Sequence, residues 1–182
     1  MAKLVTKTYG EALFELAMEE HCMEQLADEA AVIISAISQN PELLKLLNHP
    51  KIEKEEKISF MESVFKEKVS DPMIGFLILV VQKDRHNEIT GILQYFLDEV
   101  KEFKKIGVAY VTSAIPLSEA QQEQIKQKLL QTTEYVNFEM HYQVEPELIG
   151  GMVIRVGDRV VDSSVRSRIE TLAKELTNIQ LN

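Results

Sequence analysis

Residues 148–168 read Leu-Ile-Gly-Gly-Met-Val-Ile-Arg-Val-Gly-Asp-Arg-Val-Val-Asp-Ser-Ser-Val-Arg-Ser-Arg. Two short β-type runs, Met152 to Val156 and Arg159 to Val161, flank Gly157-Asp158. A two-residue hairpin turn needs positive φ, which Gly supplies without steric cost, so the spacing predicts a tight hairpin. Asp162, Ser163 and Ser164 follow with side-chain oxygens suited to capping a helix start. Val165, Ile169, Leu172, Ala173 and Leu176 then recur at helical spacing.

Upstream of the hairpin the pattern changes period near Ile106-Gly107. After that point Val108, Tyr110 and Thr112 alternate with Ala109 and Val111, as in a strand. Leu117-Ser118-Glu119-Ala120-Gln121 reads as a hydrophobic staple and capping box that open a helix through about Leu130. Phe138, Met140, Tyr142 and Val144 alternate with polar residues as a half-buried strand, which Pro146 ends. Before Ile106 the spacing is helical. One stripe is Val5, Tyr9, Ala12, Leu13, Leu16 and Ala17; a second is Leu26, Ala30, Ile33, Ile34 and Ile37, stopped at Asn40-Pro41. A short element holding Leu43-Leu44 and Leu46-Leu47 ends at His49-Pro50, and Ile58, Met61, Val64 and Phe65 follow. Asp71-Pro72 offers a cap oxygen and then a proline at the first helical position. Ile89, Ile92, Leu93, Phe96, Val100 and Phe103 form the last stripe. The expected fold class is α+β: an N-terminal six-helix bundle over residues 1–105, then a small α/β unit over 106–182 with a β-hairpin and a closing helix.

A chain of 182 residues, 45% hydrophobic and 27% charged, is long enough to bury a core and has a globular composition. The net charge is -9, and both parts are acidic: 13 basic against 19 acidic groups in residues 1–105, and 7 against 10 in 106–182. Neither part carries the positive patch of a nucleic-acid binder, and an acidic surface is repelled by anionic lipid. The longest apolar run, Phe76 to Val81, is far below the roughly 20 residues of a membrane span. Direct membrane insertion is therefore not expected. The N-terminus shows neither a signal-peptide core nor transit-peptide character, and the single Cys22 forms no internal disulfide, so a reducing setting is expected, either the cytoplasm of a bacterium or an organelle that itself encodes the chain.

Candidate chemistry is sparse. Gly150-Gly151 leads into a strand, whereas a phosphate loop leads into a helix whose N–H groups meet the anion. Close backbone approach or a bulge explains these glycines better. His21, His49, His86 and His141 lack metal-ligand spacing and read as surface residues. Ser163-Ser164 read as helix caps, not nucleophiles. No cofactor is expected. Arg155, Arg159, Arg166 and Arg168 cluster around the hairpin and helix start, either as ordinary surface charge or as a docking patch for a carboxylate-bearing segment. Arg166 opposes the dipole at its helix start, which suggests a pairing with Asp162 or with a partner. Met73 to Val81 is apolar all the way round, so it is either the central helix of the bundle or a helix covered by a partner.

Gly150-Gly151, Met152-Val153-Ile154-Arg155, Gly157-Asp158 and Val161-Asp162-Ser163-Ser164-Val165-Arg166 together resemble the C-terminal signature of the delta subunits of F-type ATP synthases. Tyr9-Gly10-Glu11-Ala12-Leu13, the chain length and the order of elements resemble the same family, which includes the mitochondrial oligomycin sensitivity-conferring protein. The resemblance implies a non-enzymatic stator part on the cytoplasmic face of a bacterial plasma membrane. It implies that the first and fifth helices hold the N-terminal helix of the catalytic head's alpha subunit, here through Tyr9, Ala12, Leu13, Phe76, Leu79 and Val80. It also implies that the C-terminal unit takes the end of the b subunit; the arginine cluster offers Arg155, Arg159 and Arg166 as candidate contacts there, which the resemblance does not assign residue by residue. Fully burying four such apolar side chains is worth roughly 6–12 kcal/mol before ordering costs. An unrelated adaptor with a helix-binding groove would share the groove but not the hairpin signature.

Overall fold

The structure, a computed structural model, describes residues 2–48 and 52–179. The stop expected at His49-Pro50 lies outside those residues, as do the side chains of Leu44 and Leu176. The chain divides into two compact units, Met1–Lys101 and Glu102–Asn182.

The first unit is helical: α1 (Ala2–Glu19), α2 (Met23–Gln39), α3 (Pro41–Leu47), α4 (Lys54–Phe65), α5 (Asp71–Gln82) and α6 (Ile89–Phe103), with a 3₁₀ turn at His86–Glu88 leading into α6. The stripes meet in one core. On α2, Leu26, Ala30, Ile33 and Ile37 are buried at alternating steps of four and three residues, which keeps them on one face. Gly10 of α1 faces α6 so closely that a Cβ there would come within 2.4 Å of the Tyr95 ring. The start of α5 differs from the sequence reading. Asp71 is the first helical residue and not the cap; the cap position is Ser70, whose side chain does not cap the helix. Glu29 of α2 does the work from outside, accepting from the Ser70 N–H at 3.0 Å and from its hydroxyl at 2.8 Å. A carboxylate beside the positive end of α5 also suits its dipole.

The second unit runs β1 (Ile106–Ser113), α7 (Glu119–Thr132), β2 (Asn137–Val144), β3 (Met152–Val156), β4 (Arg159–Asp162) and α8 (Val165–Ile179). The sheet order is β2-β1-β3-β4. β1 and β2 are parallel, which requires a crossover, and α7 supplies it. β3 and β4 are antiparallel neighbours, with Val156 opposite Arg159 across the expected turn. Gly157 takes φ 55° in that turn. α7 opens with the full capping box: the Ser118 hydroxyl accepts from the Gln121 N–H, and the Gln121 side chain accepts from the Ser118 N–H.

Candidate functional site

The nine apolar residues of α5 separate cleanly once the helix is packed. Met73, Phe76, Leu77, Val80 and Val81 are buried, at steps of three and one that hold them to one face. Ile74 and Ile78 are half-buried, Leu79 is 43% exposed, and no atom lies within 4 Å of where a Gly75 Cβ would stand. The helix is thus both a core helix and the carrier of an open apolar strip. Neither alternative drawn from its composition excluded the other.

Of the residues expected to meet the alpha subunit, Leu13 and Val80 are fully buried and Phe76 is nearly so, within the bundle's own core. Tyr9 is half-buried against that core, and Ala12 and Leu79 are exposed. Gly75 and Ile78 join Leu79 on the outer strip. On α1, Leu4 and Met18 are also exposed. Helical periodicity could have flagged Ile78, because it stands one turn from both Ile74 and Gln82.

In the second unit, the register places Val111 between Tyr142 and Ile154, and Ser113 between Val144 and Met152, on one face of the sheet. α7 lies over this face, and the Tyr142 hydroxyl donates to the Gln122 carbonyl at 3.3 Å. Leu117, Ile125 and Leu129 face Met152 and Ile154 across an open apolar cleft of about 380 Å³. Val161, paired with Ile154, is exposed, and so are Val165, Ile169 and Leu172 along α8. These apolar residues were read as structural in the sequence. No separate signal in the sequence marked them for another role.

The arginines are more ordinary. Arg155 donates to the Gly157 carbonyl at 3.3 Å. Arg166 pairs with Glu170 at 3.1 Å and Glu147 at 3.6 Å, not with Asp162. The bond to Glu170, one turn on, raises the Arg166 pKa and offsets its unfavourable place at the helix start. Arg159 forms no ion pair among the described residues. Asp162 is occupied by the helix start. It accepts from the Ser167 hydroxyl and the Ser164 N–H, and the first of these leads in holding its carboxyl below the usual range.

Ser164 is buried and its hydroxyl accepts from the Ser167 N–H at 3.2 Å, while the Ser163 hydroxyl donates to the Met152 carbonyl. Both serines are therefore spent on structure. Gly151 has φ 77°, and a Cβ there would meet the Ser163 carbonyl oxygen at 2.4 Å, so the paired glycines serve close backbone approach. The Gly150 carbonyl accepts from the Val165 N–H at 2.9 Å, fixing the start of α8 to the start of β3. One histidine departs from expectation: His86 is buried, because the 3₁₀ turn that carries it packs against α1 and α3. Among the described residues, no group of three or more His, Cys, Asp or Glu is placed to hold a metal ion, and no helix is long and apolar enough to cross a membrane.

Comparison with known proteins agrees with this arrangement. Residues 5–176 match the model of the family described as ATP synthase delta (OSCP) subunit. The chain is 55% identical to ATP synthase subunit delta of Lachnoclostridium phytofermentans, with all of both chains covered. It is 34% identical to that subunit of Halalkalibacterium halodurans over 96% of this chain and 95% of the relative. A chain in the cryo-EM structure of the Toxoplasma gondii mitochondrial ATP synthase hexamer has the same fold, with a TM-score of 0.74 at 18% identity over 94% of this chain and 97% of that one. The chain belongs to the ATP synthase delta (OSCP) subunit family, whose members interact with the alpha subunit and the peripheral stalk, and it is a non-catalytic stator subunit linking the catalytic head to that stalk.

Proposed function

We propose that the two attachments are divided between the two units. The helical bundle, residues 1–105, takes the N-terminal helix of the alpha subunit on the outer strip of α5 and on α1. Leu79, Ala12 and Tyr9 make direct contact there, and Gly75 leaves room for the incoming helix. Leu13, Phe76 and Val80 hold the strip in shape from beneath. The second unit, residues 106–182, takes the C-terminal end of the b subunit on the apolar cleft of α7 and β3 and on the α8 stripe, with Arg159 free to pair with a stalk carboxylate. Arg155 and Arg166 stand at the margin of that contact. The subunit sits at the cytoplasmic face of a bacterial plasma membrane and is held there by its partners, since its net charge of -9 disfavours anionic lipid.

The observation that carries this reading is Leu79, 43% exposed on a helix with no charged residue from Met73 to Val81. An apolar helix face left open beside a glycine with free space fits helix-in-groove recognition. The test is calorimetric titration of the full chain with a peptide from the alpha subunit's N-terminus. Leu79→Glu should weaken binding by about 2 kcal/mol or more, because a carboxylate in a dry contact is left unpaired. Leu172→Glu should leave this binding unchanged and weaken capture of the b subunit. Undiminished peptide binding by Leu79→Glu, with the helical spectrum intact, would refute the assignment.

A further inference from the structure

We propose that His86 is an acid-sensitive latch that holds the end of α3 against the 3₁₀ turn before α6. His86 is 7% exposed. Its Nε2 lies 3.0 Å from Oδ1 of Asn48, the residue that follows α3. With Nε2–H donating to Asn48, the neutral ring keeps Nδ1 as a bare acceptor, and Nδ1 is buried with no hydrogen-bond partner. A second proton would create an N–H at Nδ1 where no acceptor stands, in a place water does not reach.

The charged surroundings offer the proton little. Lys57 of α4 is itself buried, at 8% exposure, and its charge opposes a second one on the ring. Asp84 and Glu88 favour the proton, but the Asp84 carboxylate is already engaged by Lys54, which also donates to the Gln82 carbonyl. α3 adds only exposed Glu42 and Lys45. α1, which also packs on the 3₁₀ turn, carries exposed Lys3 and Lys7 near its start. Burial first, and Lys57 second, hold the His86 pKa below its ordinary 6.5.

The sign of the effect follows. The unfolded chain takes the proton at about the ordinary histidine value, and the folded bundle only at lower pH. Stability from this site is complete above the unfolded value and declines as pH falls through it toward the folded one. Acid therefore loosens the contact between α3 and the turn, while carboxylates elsewhere still keep their charge.

The experiment uses the full chain. Ring NMR, with the His86 signal identified by its loss in His86→Phe, should give a midpoint below 6.5; a midpoint at or above it overturns the proposal. Between about pH 7.5 and about pH 5.5 the wild type should lose more in Tm than His86→Phe. Equal losses overturn it. Asn48→Asp places a carboxylate on Nε2–H, so it should raise the midpoint and abolish the excess acid loss. An unmoved midpoint in that variant would show that Asn48 does not hold the ring. Should His86→Phe fail to fold, the ring signal whose midpoint moves in Asn48→Asp identifies His86, and its wild-type titration still decides.

Discussion

Helices α2 and α8 carry the same kind of signal and meet opposite fates. Both have apolar residues at steps of three and four. On α2 these are buried completely, whereas on α8 Val165, Ile169 and Leu172 are exposed. The contrast extends to the units around them. Every helix of the bundle that exceeds one turn sends residues into a shared core, while α7 has no fully buried residue at all. An apolar stripe states that something will cover it, not what will. In the bundle the cover is the chain itself; in the second unit, on the reading proposed here, much of it is the stalk. On that reading, a helical bundle that packs its own core can bear load as a body, and the α/β unit would gain its order where the stalk attaches.

The most direct challenge to that contrast is a matched pair of truncations. Leu26→Ala removes a fully buried side chain and should cost about 2–5 kcal/mol, read as a loss in denaturant midpoint. Leu172→Ala, at an exposed position, should stay within about 0.5 kcal/mol in the isolated chain. A large loss from Leu172→Ala would mean that α8 is buried in solution and that the second unit is complete without a partner. A fragment of residues 1–105 should likewise be helical and melt cooperatively in circular dichroism, since its stripes pack among themselves.

Two glycines refine the picture within the hairpin. Gly151 and Gly157 both have positive φ, but only Gly151 is crowded, with the Ser163 carbonyl at 2.4 Å from a built Cβ. Gly151→Ala should therefore cost about 2–3 kcal/mol, through backbone strain plus displacement of the start of α8. Gly157→Ala has open space around it and should cost only the left-handed penalty of about 1 kcal/mol. Similar losses in chemical denaturation would show that the Gly151 contact yields easily.

Much of this was legible in the sequence because it was local. The Gly157-Asp158 turn, the Ser118–Gln121 capping box and the α2 stripe each depend on residues within a few positions of one another. The features that escaped are those that join distant positions. Glu29 caps α5 across 41 residues, and no local pattern marks it. The central place of β1, parallel to β2 and antiparallel to β3, follows from packing and not from alternation. α5 hid its outer face for a different reason: when every position is apolar, periodicity cannot say which side faces out. Arg166 was legible as a conflict with the helix dipole, but its partners, Glu147 and Glu170, were not among those considered. His86 looked like a surface residue because nothing nearby in sequence announces that its turn packs against α1 and α3.

The Glu29 cap yields an effect of intermediate size. Glu29→Ala leaves the Ser70 N–H and hydroxyl without their acceptor and should cost about 1–2 kcal/mol. Glu29→Gln keeps one acceptor oxygen and should recover part of that. Because α5 carries the proposed head contact, hydrogen exchange at its first turn should quicken in Glu29→Ala. Unchanged exchange there would mean that Ser70 finds water or another acceptor at no cost.

The smallest effect concerns how the bundle turns its corners. No glycine occurs between Gly10 and Gly75, which favours helices but leaves the turns without the residue that ends a helix most easily. α1 stops with His21 at φ 53°; the His21 N–H donates to the Met18 carbonyl and the Cys22 N–H to the Ala17 carbonyl, the paired bonds of a Schellman ending. That conformation brings a β-carbon too near the following carbonyl, a penalty glycine lacks. The His21 side chain is exposed, so its removal exposes no core. Glycine also enlarges the freedom of the unfolded chain, which takes back part of the gain. His21→Gly should thus stabilise the chain by about 0.5–1 kcal/mol, seen as a small rise in denaturant midpoint at constant slope. A loss of stability instead would show that the turn holds its shape through the His21 side chain, and that the bundle is less self-sufficient than its buried stripes imply.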